Sequence, residues 1–140
     1  MKYELPPKKK LVHEMHIPVR WSDMDALGHV NNVSYFRYME IARLQWLREL
    51  GYVFDPQGGS VVIANTFCNF HRQFEYPDAA IVRTYVSNPG RSSYESWVTM
   101  EKAGEPGALC ATGGATTIWV NAQTKKSAPL PAWLRAAIEE

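Results

Sequence analysis

The alternation of apolar and polar residues predicts that the folded part of the chain begins with a β-strand. Over residues 11–21 the apolar side chains fall mainly on odd-numbered positions, whereas Glu14 and His16 occupy even-numbered ones. This period of two is typical of a strand with one buried face. Pro18 lies within the run and has no backbone N–H, so we expect an edge strand or a bulge there.

A segment with a helical period follows. Asn31 or Asn32 can cap the N-terminus of this helix, and Gly51 is suited to its C-terminal end. An apolar stripe runs along the helix, and Phe36 and Leu47 widen it toward a second side. The stripe consists of Tyr35, Tyr38, Met39, Ala42, Trp46 and Leu50. Because so much of its circumference is apolar, we expect a sheet to wrap around this helix.

The remainder of the chain has strand patterns until a short amphipathic helix at its end. Strands are predicted at residues 61–76, 79–87, 92–102 and 108–121, and the helix at Ala132 to Glu140. On the first of these strands, one face should carry Val62, Ala64, Thr66, Cys68, Phe70 and Phe74. Turns rich in Gly and Pro predict hairpin connections between the strands. The element order predicts an α+β fold with one curved antiparallel sheet around one long helix.

Length and composition are those of one globular domain. The chain has 140 residues, of which 46% are hydrophobic and 21% charged, and its formal net charge is +1. A nearly neutral chain has no general attraction for nucleic acid or for an anionic membrane. Residues 1–10 contain Pro6 and Pro7 and are expected to form a flexible leader to one domain over residues 11–140.

Targeting signals and metal-binding patterns are not evident in the sequence. The lysines at positions 8–10 are not followed by the apolar segment of a signal peptide, and no apolar run is long enough to span a membrane. We therefore expect a cytoplasmic protein. Cys68 and Cys110 lie in apolar runs, which favours free buried thiols over a disulfide. Without a C-x-x-C pair or a Cys/His cluster, no metal site is expected.

The segment between the first strand and the helix carries the strongest signal for chemistry. Asp23 and Asp25 stand in a tight turn that contains Gly28, and the helix begins a few residues later. The free N–H groups at a helix N-terminus favour negative charge. A carboxylate beside such donors is the minimum equipment for attack on a carbonyl.

The pattern D-x-D-x-x-G-H-V-N-N-x-x-Y-x-x-Y-x-E-x-A-R in this segment closely resembles the hotdog-fold acyl-CoA thioesterases of the 4-hydroxybenzoyl-CoA thioesterase type. The resemblance extends to the W-V-N-A-Q-T-K-K-x-x-P-L-P segment and covers about residues 11–137. It implies the hotdog fold and hydrolysis of an acyl-CoA to a carboxylic acid and free CoA. It also implies a homodimer or homotetramer, in which two sheets join edge to edge or pack together and active sites form between subunits.

By this resemblance, Asp25 acts on the thioester, as nucleophile or as general base for water. The backbone N–H of Asn32 would polarise the thioester carbonyl, and Gly28 would allow close approach of the substrate. Asp23 is expected to form the turn or to orient its neighbours.

Other residues of the pattern have candidate roles in substrate binding. His29 could shuttle a proton or bond to the turn, Asn31 could bind substrate or only cap the helix, and Tyr35 could touch an acyl group or pack in the core. Glu40 and Arg43 are three residues apart on one helix face, so we expect an ion pair that holds the helix against the sheet.

Coenzyme A would bring phosphates that need basic partners. Arg91, Ser92 and Ser93 follow a turn and are the first choice for that contact, with His71–Arg72 and Lys125–Lys126 as alternatives. Nucleotide-binding glycine motifs and the G-x-S-x-G motif are not present, which argues against hydride chemistry and against a serine thioesterase.

Water is the second substrate of the expected reaction, and no cofactor is expected beyond the CoA of the substrate itself. Two alternatives are a hotdog hydratase or dehydratase and a non-catalytic acyl-thioester binding module. The sequence does not indicate which acyl group is hydrolysed, or whether acyl carrier protein takes the place of CoA as its carrier.

Overall fold

The computed structural model describes residues 3–139, so Met1 and Lys2 of the predicted leader and Glu140 of the predicted last helix lie outside the described residues. The elements in chain order are β1 (Lys10–Pro18), a 3-10 turn (Trp21–Asp23), α1 (Asn32–Glu49), β2 (Gly59–Phe70), β3 (Ala79–Ser87), β4 (Ser93–Lys102), β5 (Leu109–Asn121) and α2 (Ala132–Glu139). The predicted α+β class is confirmed. The division into leader and domain stays a prediction.

The five strands form one antiparallel sheet in the order β1-β3-β4-β5-β2. The expectation of consecutive hairpins is wrong at one connection, because β2 pairs with β5 and not with β3. Residues 71–78 carry the chain from β2 at one edge toward β1 at the other, and Phe74 within them is fully buried. Strand β1 is the opposite edge of the sheet, and Pro18 is its last residue. A residue without a backbone N–H is tolerated at such a position.

Two β-bulges change which side chains face the helix. A register shift between Leu11 and His13 turns His13 toward the core side, and a second one lies between Ile63 and Asn65. One extra residue in a strand reverses the alternation of its two faces. The prediction that Val62 and Thr66 share a face is therefore wrong. The sequence period alone contains no sign of these bulges.

Helix α1 packs one face on the sheet and leaves the other face exposed. Its buried residues are Ser34, Tyr35, Tyr38, Met39, Ala42, Trp46 and Leu47. Gly113 of β5 permits this close packing, since a Cβ there would lie 2.9 Å from Cε of Met39. On the other face, Leu44 is 45% exposed. Within one chain the sheet therefore covers the helix on one side and does not surround it.

The two thiols are free, as predicted, and burial raises the pKa of Cys68 to about 12. In the part of the chain that is described, no helix is long and apolar enough to cross a membrane.

Candidate active site

The turn before α1 is closed by backbone bonds on both sides of Asp25. Met24 and Val30 form an antiparallel bridge, and the N–H of Asp25 donates to the carbonyl of His29 over 2.8 Å. The N–H of Gly28 donates to the carbonyl of Asp25 over 3.2 Å, and Gly28 has a φ of 83°. Such a positive φ is strained for residues with a Cβ, which explains glycine at the tip of this turn.

The Asp25 carboxylate is held by one of its oxygens. Its Oδ1 accepts hydrogen bonds from the N–H of Leu27 over 2.9 Å and from the N–H of His29 over 3.4 Å. Among residues 3–139, no hydrogen bond reaches Oδ2, and the residue is only partly buried. The turn therefore orients the carboxylate and leaves one oxygen available to a substrate or to water.

Asp23 has a different environment. It is buried, and its Oδ2 accepts from the hydroxyl of Tyr38 over 2.7 Å and from the N–H of Arg20 over 2.9 Å. Burial and then the bond to Asp23 raise the pKa of Tyr38, so its hydroxyl stays protonated and continues to donate. The carbonyl of Asp23 also accepts from the N–H of Asn31 over 2.8 Å, which ties the turn to the helix. The predicted orienting role of Asp23 fits these contacts.

The N-terminus of α1 keeps one donor free. Asn31 is the N-cap, and its Oδ1 accepts from the N–H of Val33 over 2.9 Å. The N–H of Ser34 donates to the carbonyl of Asn31 over 2.9 Å. Within the described residues the N–H of Asn32 has no acceptor, and this residue follows His29, the partner of Asp25, by three positions. The oriented carboxylate of Asp25 is thus bonded to His29, and the unused N–H of Asn32 lies at the start of the helix that follows.

Tyr35 belongs to the core. It is 2% exposed, its hydroxyl accepts from the N–H of Phe74 over 3.2 Å, and its ring packs edge-on against Phe70 with centroids 5.0 Å apart. Burial raises the pKa of the Tyr35 hydroxyl. His29 is partly buried and meets Asp25 through its backbone groups. Contact of either side chain with a substrate stays a prediction.

The predicted phosphate-binding turn lies far from Asp25 within one chain. Pro18, which leads to the Asp25 turn, pairs with Ala79 at the start of β3, whereas Arg91 follows the end of that strand. The first and last of the nine residues of β3 are eight steps of ~3.4 Å apart, which separates the two ends of the strand by roughly 27 Å. The structure therefore does not bring Arg91, Ser92 and Ser93 to the same end of the sheet as Asp25.

The alternative basic pair His71–Arg72 does lie at the Asp25 end. It follows β2 directly, and the nearby carbonyl of Phe74 accepts from the N–H of Val30 over 3.0 Å. Arg72 forms a long, exposed ion pair of 3.5 Å with Glu105. Such a pair contributes little to stability and leaves the guanidinium free to exchange partners.

Exposed apolar side chains surround the Asp25 turn, and the sequence patterns did not single them out. Trp21 is 74% exposed and packs edge-on against Tyr76, while Leu27 in the turn itself is 81% exposed. Large apolar residues that form a contiguous exposed patch are typical of a surface that binds a partner or an apolar ligand. The sequence shows that they are close to an acidic turn. Trp21, however, also fits the strand alternation of residues 11–21, which predicts a buried side chain.

The residues between positions 3 and 139 contain no cluster of His, Cys, Asp or Glu that could hold a metal ion.

Comparisons with known proteins agree on one family. The model of the Thioesterase-like superfamily matches residues 19–138. An uncharacterized protein of Bacillus subtilis, YsmA, is 28% identical over 113 residues, which are 79% of this chain and 74% of that protein. A provisionally named thioesterase from Pseudomonas aeruginosa has a TM-score of 0.87 and 33% identity, covering 91% of this chain and 98% of its own. A thioesterase from Thermus thermophilus, solved with coenzyme A and zinc, has a TM-score of 0.75 and 27% identity, covering 89% and 90%.

Proposed function

The chain belongs to the thioesterase-like superfamily, and from this premise we propose that it hydrolyses acyl-CoA thioesters with Asp25 as the essential carboxylate. Thioester hydrolysis is the activity of the family, and the fold agrees with the hotdog fold that the sequence motif implies. The use of CoA as the thiol carrier and of Asp25 as the reacting carboxylate is proposed in addition.

One observation carries the proposal: the Asp25 carboxylate is anchored through Oδ1 while Oδ2 is free of protein donors within residues 3–139. A neutral Asn could accept the same two hydrogen bonds and shape the turn, whereas Asp25 adds a negative charge and an oxygen that no protein donor within residues 3–139 occupies. The N–H of Asn32 supports the same interpretation, since an unused donor can stabilise the oxyanion that forms when a carbonyl is attacked.

Two reaction courses fit this arrangement. In the first, Asp25 takes a proton from water as the water oxygen adds to the thioester carbon; the C–S bond then breaks, and the CoA thiolate recovers the proton. In the second, Oδ2 attacks the carbon itself and expels the thiolate; water then cleaves the resulting anhydride, which returns the Asp25 carboxylate, releases the carboxylic acid and supplies the proton that the thiolate takes up. Both courses place negative charge on the carbonyl oxygen, where the N–H of Asn32 would donate.

CoA as the leaving group is supported by the neighbour from Thermus thermophilus that was solved with coenzyme A. If Arg91 contacts a CoA phosphate, the separation along β3 favours service to the Asp25 of a second subunit over the Asp25 of its own chain. Under that condition each site would be built from two chains of a homodimer or a homotetramer.

The test is a thiol-release assay on a panel of acyl-CoAs, with acyl-carrier-protein thioesters measured alongside. We expect release of free CoA and an equal amount of carboxylic acid from at least one acyl-CoA. Tight binding without release would assign the chain to the binding modules, and conversion of an enoyl or hydroxyacyl chain with the thioester intact would assign it to the hydratases.

A further inference from the structure

A small cleft opens on the outer face of the sheet, which is the face that points away from α1. Gly113 of β5 packs against Met39 of the helix, so the next residue, Gly114, belongs to the outer face. Phe67 of β2 and Trp97 of β4 pair with Gly114 from either side. The cleft lies beside these two rings and has a volume of about 260 Å³. Among residues 3–139, none from the two turns considered for catalysis and for phosphate binding lines it.

The absence of a side chain at Gly114 lets two aromatic rings converge over β5. A Cβ there would lie 2.8 Å from Cε1 of Phe67 and 2.8 Å from Cε3 of Trp97. The centroids of these two rings are 6.1 Å apart. The indole N–H of Trp97 donates to Oγ of Ser87 over 2.8 Å, which fixes the orientation of its ring. Neighbouring strands thus supply two walls of the cleft.

The segment before β1 adds a third ring to the cleft. The centroid of the Tyr3 ring lies 4.8 Å from that of Phe67, and the two rings are tilted by 41°. The carbonyl of Tyr3 accepts from Nδ2 of Asn69 on β2 over 2.6 Å, which holds this segment on the outer face. Three aromatic rings, each from a different part of the chain, therefore surround one small space.

The cleft also carries negative charge. Glu4 and Glu95 line it, whereas no Lys, Arg or His of the described residues does. Within residues 3–139, neither carboxylate has a basic nitrogen within 4.0 Å. Oε2 of Glu95 accepts from Nδ2 of Asn88 over 2.9 Å, but this donor is neutral and leaves the charge uncompensated. The charge of the lining therefore favours a cation as the ligand.

Aromatic walls select among cations. The face of an aromatic ring attracts positive charge but is a poor hydrogen-bond acceptor. A cation with alkyl groups on its nitrogen therefore loses less on leaving water than a lysine-like ammonium, which gives up strong hydrogen bonds. On the same face, Nζ of Lys9 already lies 5.1 Å from the ring centroid of Tyr85, which pairs with Trp97. Lys9 itself does not line the cleft, so the space beside Phe67 is left for a ligand.

We propose that this cleft binds the quaternary ammonium group of a small free molecule. The rings of Tyr3, Phe67 and Trp97 contact its alkyl groups, and the carboxylates of Glu4 and Glu95 supply the opposite charge. A phospholipid headgroup with the same ammonium group is disfavoured, because its phosphate would lie near these two carboxylates. The inference goes beyond the proposed function and uses none of the residues assigned to hydrolysis.

Titration calorimetry of the full chain with three probes tests the proposal. Choline carries the quaternary ammonium group, and 3,3-dimethylbutan-1-ol has the same shape with carbon in place of the charged nitrogen. We expect choline to bind at least ~tenfold more tightly than the alcohol. Phosphocholine adds a phosphate to the same group and should bind more weakly than choline. Equal binding of choline and the alcohol, or tighter binding of phosphocholine, would overturn the proposal.

Two variants locate the binding. Phe67→Leu removes a ring and keeps an apolar side chain, and Glu95→Gln removes the charge and keeps an acceptor for Asn88. Each should weaken choline binding about fivefold. Phe54→Leu and Glu75→Gln make the same changes outside the cleft and should have no effect. Circular dichroism verifies that each variant is folded.

Two further results would contradict the proposal. One is that the unaltered protein shows no measurable binding of choline. The other is that the variants inside the cleft bind choline as tightly as the two controls, which would assign the binding to another surface. Because the titration contains no thioester, its outcome is independent of whether the protein hydrolyses acyl-CoA.

Discussion

Replacement of Asp25 by Asn is the perturbation that separates a chemical from a structural role for this residue. Asn keeps an oxygen that can accept from the N–H groups of Leu27 and His29, as Oδ1 does now. The amide NH₂ would take the place of Oδ2, which no donor within residues 3–139 contacts, so no hydrogen bond of the turn is lost. Stability should therefore change by less than about 0.5 kcal/mol, as for surface substitutions that break no specific contact.

The catalytic cost should be much larger. An amide cannot take a proton from water or form an anhydride, so both proposed courses fail, and kcat should fall by at least ~100-fold. KM should change much less, since the acyl chain and the nucleotide are bound by other groups. The assay is thiol release with the best acyl-CoA of the panel, with kcat and KM determined separately.

Asp23→Asn is the matched control two residues away. Its Oδ2 receives two hydrogen bonds, one of them from the buried hydroxyl of Tyr38. Loss of a charged acceptor should cost about 1.5–3 kcal/mol of stability, with a smaller loss of kcat. The two variants should thus show opposite patterns: Asp25→Asn loses turnover, and Asp23→Asn loses thermal stability. Normal turnover in a folded, assembled Asp25→Asn protein would refute the mechanism.

Three further changes test other contacts. Arg91→Ala should raise KM for acyl-CoA about tenfold, the effect of losing a charge-assisted bond of ~1.5 kcal/mol. KM should not rise for a truncated substrate, the pantetheine thioester, because it has no nucleotide phosphates. Equal effects on both substrates would show that Arg91 does not bind a CoA phosphate. Tyr38→Phe should lower the free energy of unfolding by about 1.5–3 kcal/mol in urea titrations, because Asp23 loses a buried donor; an unchanged midpoint would contradict this. Gly113→Ala should lower stability by about 1–3 kcal/mol, since its Cβ would clash with Met39 and with the neighbouring backbone; a stabilised variant would show that the helix can shift without cost.

The candidate site was predictable because it is local in sequence. The turn, its positive-φ glycine and the Asn31 cap depend on residues 23–34, and each has a signature in residue type and spacing. Exposed Trp21 was not predictable in the same way, since an apolar residue at the end of a strand has the same alternation whether it faces the core or solvent.

Features set by long-range pairing could not be predicted from the sequence. Whether Arg91 meets Asp25 depends on the direction of β3 relative to β1, and apolar periods do not encode which strands become neighbours. The bulge between Ile63 and Asn65 is likewise a property of the β2–β5 pair, because it absorbs a mismatch between two strands. The expected ion pair between Glu40 and Arg43 is a local feature, and it is also wrong: within residues 3–139 no carboxylate oxygen lies within 4.0 Å of the Arg43 guanidinium. Spacing on a helix permits an ion pair without requiring it.

The pairing of β2 with β5 has a consequence for how the chain folds as it is synthesised. Gly59 pairs with Asn121 and Phe70 with Ala111, so β2 must wait for the last strand before it gains its ladder. Translation adds about 5–20 residues per second, so the roughly 50 residues between the end of β2 and the end of β5 take on the order of 3–10 s. During that interval an apolar strand is outside the ribosome without a partner in its own chain. We expect nascent chains that stop short of β5 to be captured by chaperones or to aggregate, whereas in chains completed through β5 the strand gains its one partner in the sheet.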